Sequence, residues 1–220
     1  MLMADTNMTD EWIERAIKAN PCVLLESGNI RTCPVRLSFP FLFERSKPIP
    51  PATEGAFAAN LIFPLNADLA LLTKVAAEVT KAKWADAGTP KGPKLKGPLK
   101  KQDEMLKYEG YAEGGLYTTA TSRKYQPIVI DPAQRTITDH ERVYPGVWAI
   151  CTLNAFTYDK GVNKGTSFGL QTVMIIADDK RLGGGGGGNI ASDFAGVQID
   201  AAVNPGAVFG DDPDAAALFS

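Results

Sequence analysis

The sequence predicts a mainly β protein, built as a small barrel of strands with one long α-helix inserted. Several segments alternate apolar and polar residues with the period of a strand, and one segment of about 20 residues carries an apolar stripe with helical spacing. Hydrophobic residues form 45% of the chain, enough to bury a core. No run of 18 apolar residues is present, and the first residues are acidic rather than basic, so we expect an intracellular protein.

Five segments carry the pattern of strands. They lie at residues 32–44, 56–64, 116–130, 147–158 and 166–177. In the first segment, Pro40 predicts a bulge or a bend, because proline cannot donate to a strand ladder, and Pro127 should break the third segment in the same way. The glycine-rich residues 159–165 predict a turn between the last two strands.

Two helices are predicted, and the longer one completes the expected architecture. Residues 10–19 form a short helix that Asp10 could cap, and residues 67–86 form the longer one, with Asn66 as its N-cap. The order of elements favours an OB-fold-like five-stranded antiparallel barrel with one inserted α-helix. The same periodicity also allows another small barrel or an α+β sandwich.

Charge is distributed unevenly, although the net charge is only −2. Residues 31–101 contain 12 Lys or Arg and 5 Asp or Glu, whereas residues 183–220 contain 5 Asp and no cation. Six consecutive glycines begin the acidic segment and predict a flexible linker. We therefore expect an N-terminal extension at 1–30, an OB-like domain at 31–182, and a Gly-rich linker with a flexible acidic C-terminal tail at 183–220.

Aromatic and basic residues on neighbouring predicted strands indicate a site for single-stranded nucleic acid, since bases stack on rings and cations neutralise phosphates. The alternation along 147–158 places Trp148, Phe156 and Tyr158 on one face and small apolar residues on the other. Trp148 and Phe156 could instead pack beneath the helix. The candidate residues on the strands and their turns are Tyr117, Arg123, Lys124, Tyr125, Trp148, Phe156, Tyr158, Lys160 and Lys164.

Two further segments are candidate sites. The Gly-Pro pairs of residues 91–101 prevent a helix and predict a mobile basic loop, which either contacts phosphates or is simply solvated surface. In the tail, carboxylates and an aromatic residue near the C-terminus could occupy the binding site in place of nucleic acid, and could also dock partner proteins. Alternatively, the tail has no binding function. The candidate residues are Lys94, Lys96, Lys100 and Lys101 in the loop, and Asp211, Asp212, Asp214 and Phe219 in the tail.

The sequence also argues against several kinds of catalytic or metal-binding site. Three cysteines without a CxxC pair and a single histidine, His140, are too few for an ordinary zinc site. The six-glycine run is followed by Asn189 and not by the Lys-Ser/Thr of a phosphate-binding loop. Carboxylates do not cluster at strand ends as a metal-dependent nuclease requires. We therefore expect no catalytic residues, no metal and no cofactor.

Several motifs resemble a known family. The segments 144–158 (YPGVWAICTLNAFTY) and 163–171 (NKGTSFGLQ), with shorter pieces at 35–39, 115–123, 126–131 and 182–194, are similar to phage single-stranded DNA-binding proteins, over about residues 32–195. The resemblance implies an OB-fold binder of single-stranded DNA in phage replication or recombination, in the cytoplasm of the infected bacterial host. The resemblance also implies that the C-terminal tail binds phage replication or recombination proteins, and it is compatible with a homo-oligomer. A recombination mediator that anneals strands, or a virion structural protein, remain the alternatives.

Overall fold

The computed structural model describes residues 9–48, 53–89 and 92–183. These residues belong to the first of two units into which the chain divides, at 1–183 and 184–220. Apart from Gly183, the predicted linker and acidic tail, including Asp211, Asp212, Asp214 and Phe219, lie outside the described residues. Neither helix in the described part is long and apolar enough to cross a membrane.

Two α-helices are present in the described residues, at the predicted places but with different caps. Helix α1 spans Asp10–Ala19, and Thr9, not Asp10, caps it by accepting a hydrogen bond from the Trp12 amide at 3.3 Å. Helix α2 spans Ala70–Lys83, shorter than predicted. Asn66 does not cap it, because the helix begins four residues later, and the Asp68 carboxylate accepts from the Ala70 amide instead.

The described strands pair into one nine-stranded sheet. They are β1 Val23–Leu24, β2 Ile30–Arg31, β3 Val35–Phe41, β4 Phe57–Ile62, β5 Lys100–Lys101, β6 Leu116–Ser122, β7 Ile128–Ile130, β8 Trp148–Lys160 and β9 Asn163–Ala177. All five predicted strand segments are confirmed, and the third is split into β6 and β7 around Pro127. The three strands of two residues were not predicted, since two residues carry no periodicity.

Five of the strands pair in a closed path. Strand β3 pairs with β4, β4 with β6, β6 with β9, β9 with β8, and β8 again with β3. Four of these pairings are antiparallel, but β6 and β9 run parallel. The expectation of a wholly antiparallel arrangement is therefore wrong. The reason is geometric: in a closed ring with an odd number of strands, the strand direction cannot reverse at every step, so at least one neighbouring pair must be parallel.

The predicted irregularity at Pro40 is confirmed, and it sits in strand β3. The pairing of β3 with β4 shifts between Ser38 and Phe41. Phe39 has a φ of 49°, in the left-handed region that bulky residues rarely adopt. The backbone turns there, so that the Phe39 and Phe41 rings are both partly exposed.

The core lies between the closed path of strands and α2. On β8, Ala149, Cys151 and Leu153 are fully buried, which confirms the small apolar face predicted for this strand. Phe168 from β9 and Leu72 from α2 are buried in the same cluster. The opposite face of β8 is thereby turned outward, and this positions the candidate site.

Candidate nucleic-acid interface

A groove with a volume of about 600 Å³ lies between residues 96–100, strand β6 and the β8–β9 hairpin. We call it the Tyr158 groove. Its lining residues come from three separate parts of the chain that the sheet brings together. They are Lys96, Gly97, Pro98, Lys100, Thr119, Thr121, Arg123, Phe156, Tyr158, Lys160, Asn163, Thr166 and Ser167.

The charge of the Tyr158 groove is wholly positive. Four cations line it, Lys96, Lys100, Arg123 and Lys160, and no Asp or Glu is among its lining residues. Burial lowers the pKa of Lys100, the nearby ammonium of Lys96 lowers it further, and only Glu104 acts in the opposite direction. An anion bound in this groove would give each of the four cations a counter-charge.

The aromatic surface of the groove comes from the outward face of β8. Phe156 and Tyr158 are two residues apart on one strand, so their side chains lie on the same face. The Phe156 side chain is 36% exposed, and Tyr158 is half-buried. Tyr158 faces Gly165 across the hairpin, and a Cβ at Gly165 would clash with the Tyr158 hydroxyl and with the Lys96 carbonyl. Glycine at this position therefore permits the close approach that builds one wall.

The basic segment is held against the sheet at residues 96–101, so the prediction of a mobile loop does not hold for that part of it. The Lys96 amide donates to the Lys164 carbonyl at 3.0 Å, and the Thr166 amide donates back to the Lys96 carbonyl at 2.9 Å. Thr118 Oγ1 donates to the Pro98 carbonyl at 2.7 Å, and β5 pairs with β6. Glycine and proline exclude a helix, but their carbonyls remain free to accept from a neighbouring strand.

Several predicted cations and rings lie outside the Tyr158 groove. Lys94 and Lys101 are exposed but do not line it. The Lys164 ammonium pairs with the Asp159 carboxylate at 3.1 Å. Lys124 and Tyr125 lie in the turn after Arg123, with the Lys124 ammonium 5.0 Å from the centre of the Tyr125 ring, which is 68% exposed.

Two predicted stacking residues are buried, and the structure does not place them at the interface. Trp148 is only 4% exposed; its indole Nε1 donates to the Asp179 carboxylate at 2.8 Å, and Trp12 of α1 packs against its ring. Tyr117 is 5% exposed and packs edge-to-face on Tyr111. For Trp148 the cause is tertiary packing: Trp12 of α1 covers the outward face of β8 at this position, and Asp179 accepts the hydrogen bond of the indole.

A second groove, of about 380 Å³, was not predicted from the sequence. We call it the Phe39 groove. Its three lining rings, Phe39, Phe41 and Tyr108, are each about 40% exposed, and Lys107 lies beside them. The remaining lining residues are Ser46, Ala58, Ala59, Asn60, Glu104, Met105 and Thr119. In the sequence, the only indication of this groove was a cation next to an aromatic residue, Lys107 and Tyr108. No sequence pattern relates these two residues to Phe39.

The described residues contain no cluster of three or more His, Cys, Asp or Glu side chains that could hold a metal ion. A groove that combines exposed rings with cations and lacks carboxylates, on a β framework, is typical of proteins that bind single-stranded nucleic acid. The family model of the single-stranded DNA-binding protein of Enterobacter phage Enc34 matches residues 28–204. The chain therefore belongs to this family of phage single-stranded DNA-binding proteins.

Solved structures of similar fold include proteins of two phages. The single-stranded DNA-binding protein of bacteriophage Enc34 in complex with single-stranded DNA matches with a TM-score of 0.61 and 19% identity, over 74% of this chain and 93% of the other. The T7 protein gp2.5, also a single-stranded DNA-binding protein, matches with a TM-score of 0.52 and 10% identity, over 78% and 98% of the two chains. No curated protein sequence matches this chain. At these identities the structural matches establish the fold.

Proposed function

We propose that this protein binds single-stranded DNA in the Tyr158 groove, largely without regard to base sequence, during phage DNA replication or recombination. The observation that carries the proposal is the composition of that groove: four cations and two partly exposed rings, with no carboxylate in the lining. Cations neutralise phosphates of any sequence, and every base has a flat face that can stack. The family membership supports the same ligand.

The closed path of β3, β4, β6, β9 and β8 supports an OB-type barrel. In OB folds, oligonucleotides bind over the second and third strands and the loops between strands 1 and 2 and between strands 4 and 5. Strands β4 and β6 are the second and third strands of this path, and the β8–β9 hairpin joins the fourth and fifth. The Tyr158 groove lies between β6 and that hairpin, which is where an OB-fold would hold its ligand.

The proposed role is binding and protection, not catalysis. Bases that stack on Phe156 and Tyr158 must be unpaired, because the faces of paired bases are covered by their neighbours in the duplex. The acidic segment 183–220 would compete with DNA for the cations and dock replication or recombination proteins of the phage, in the cytoplasm of the infected cell. The same cations would thus bind either the DNA phosphates or the carboxylates of the acidic segment.

A titration of the full chain with labelled oligo-dT and with a duplex of equal length tests this function. We expect the single strand to bind more tightly, with an affinity that falls steeply as salt rises, because bound cations release counterions from the DNA. Oligonucleotides of mixed sequence should bind about as well as oligo-dT. Equal affinity for single strand and duplex, or no binding of either, contradicts the proposal.

Tyr158 provides a sharper test of base stacking. Tyr158→Ala is expected to weaken binding of oligo-dT by about 1–3 kcal/mol, the range for losing one stacked base. Tyr158→Phe is the matched control, because it keeps the ring and removes only the hydroxyl; it should bind within about two-fold of the wild type. If the two variants bind equally well, no base stacks on Tyr158.

A further inference from the structure

Phe39 is held in a strained conformation that exposes its ring. Its φ of 49° is unfavourable for a bulky side chain, and the proline that follows restricts the backbone further. The Phe39 ring is 40% exposed and contacts Tyr108 edge-to-face, with 5.3 Å between the ring centres. A strained backbone that displays an apolar ring lowers stability, so such a feature points to a function at that position.

The Phe39 groove offers rings rather than net charge. Phe41 and Tyr108 are exposed to a similar degree as Phe39, and the Lys107 ammonium lies 5.0 Å from the centre of the Tyr108 ring. Lys107 and Glu104 are both exposed and of opposite sign, so their charges cancel in the lining. This groove suits a flat, uncharged group such as a base.

The two grooves are neighbours on the sheet. Thr119 lines both of them. Lys100 Nζ donates to Thr119 Oγ1 at 3.2 Å, and Thr119 Oγ1 donates to Asn60 Oδ1 at 2.8 Å, so a hydrogen-bonded row crosses from one groove to the other. Asn60 and Thr119 are paired directly across β4 and β6. Single-stranded DNA bound in the Tyr158 groove can therefore continue into the Phe39 groove without leaving the protein surface.

We propose that the Phe39 groove is a second base-stacking subsite for the same single-stranded DNA, which passes over Thr119 between the two grooves. This inference rests on the proposed function. A base packs against Phe39 and Tyr108, whereas the phosphates are neutralised mainly in the Tyr158 groove. The subsite therefore contributes affinity that depends little on salt, and only for oligonucleotides long enough to reach both grooves.

The test uses the full-length double variant Phe39→Gly/Tyr108→Ala. Glycine adopts a φ of 49° without strain, so this change removes the ring while preserving the bulge, and the melting temperature should be retained. For oligo-dT of about 16 nucleotides we expect at least about a five-fold loss of affinity, with an unchanged slope of affinity against salt. For about 4 nucleotides, which fit the Tyr158 groove alone, we expect no change. Leu106→Ala is the matched control, since Leu106 is exposed nearby but lines neither groove.

The outcomes separate this inference from the function on which it rests. If the wild type binds no single-stranded DNA, the proposed function itself is wrong. If the wild type binds and the double variant binds 16 nucleotides equally well, only the subsite is wrong. Should the double variant unfold, the wild type can be crosslinked with light to oligonucleotides containing 5-iodouracil. An adduct on the tryptic peptide 37–45, which contains Phe39 and Phe41, supports the subsite, and no adduct on that peptide overturns it.

Discussion

Replacing Lys96, Arg123 and Lys160 together by glutamine is expected to weaken binding of single-stranded DNA by about 100-fold at about 0.1 M salt. All three cations line the Tyr158 groove, and no carboxylate in its lining compensates them. Each phosphate contact with a single strand adds about 0.7 to the slope of log affinity against log salt, so three lost contacts should flatten that slope by about 2. Lys100 is left in place because its ammonium also hydrogen-bonds to Thr119.

The control for this prediction removes the same amount of charge elsewhere. Lys18, Arg31 and Arg142 are exposed and line neither groove, so their triple change to glutamine alters the net charge equally. We expect a much smaller loss of affinity from the control, through the long-range field alone. If the two triple variants bind alike, the overall charge of the protein attracts DNA, and the Tyr158 groove is not the site. Both variants should melt at the wild-type temperature, since all six side chains are on the surface.

Strand β8 shows how far periodicity can predict this site. Alternation along residues 147–158 placed Ala149, Cys151 and Leu153 inside and Phe156 outside, and the structure has them so. The same rule also predicted that the Trp148 ring is exposed, which is wrong, because Trp12 of α1 covers that ring. Periodicity predicts on which face of a strand a side chain lies, whereas the tertiary structure determines whether a distant helix covers that face.

The basic segment and the Phe39 groove depend on contacts between residues far apart in the chain. Gly-Pro pairs correctly excluded a helix at 92–101, but the hydrogen bonds between Lys96 and the β8–β9 hairpin could not be predicted from local composition. Phe39 and Tyr108 are separated by 69 positions, and the exposure of Phe39 follows from a single unusual φ angle. Sequence patterns identify residues of the right type, and the closed path of strands decides which of them meet.

Trp148→Ala should destabilise the protein by about 3–5 kcal/mol and leave the affinity of the folded protein for single-stranded DNA nearly unchanged. The ring is almost fully buried, packs against Trp12, and donates to Asp179, so its loss creates a cavity and removes a buried hydrogen bond. Urea denaturation measures the change in stability. Binding is then measured in the absence of denaturant, at a temperature where the variant remains folded.

Phe156→Ala is the matched comparison, because Phe156 lies on the same strand but faces the Tyr158 groove. Its ring is 36% exposed, so the change should cost less stability than Trp148→Ala, while binding of oligo-dT should weaken by about 1–3 kcal/mol. The two variants thus distinguish the stabilising role of Trp148, at the start of β8, from the DNA-binding role of Phe156, near its end. If folded Trp148→Ala protein loses as much affinity as Phe156→Ala, then α1 rearranges in the complex and the Trp148 ring leaves its buried position to contact DNA.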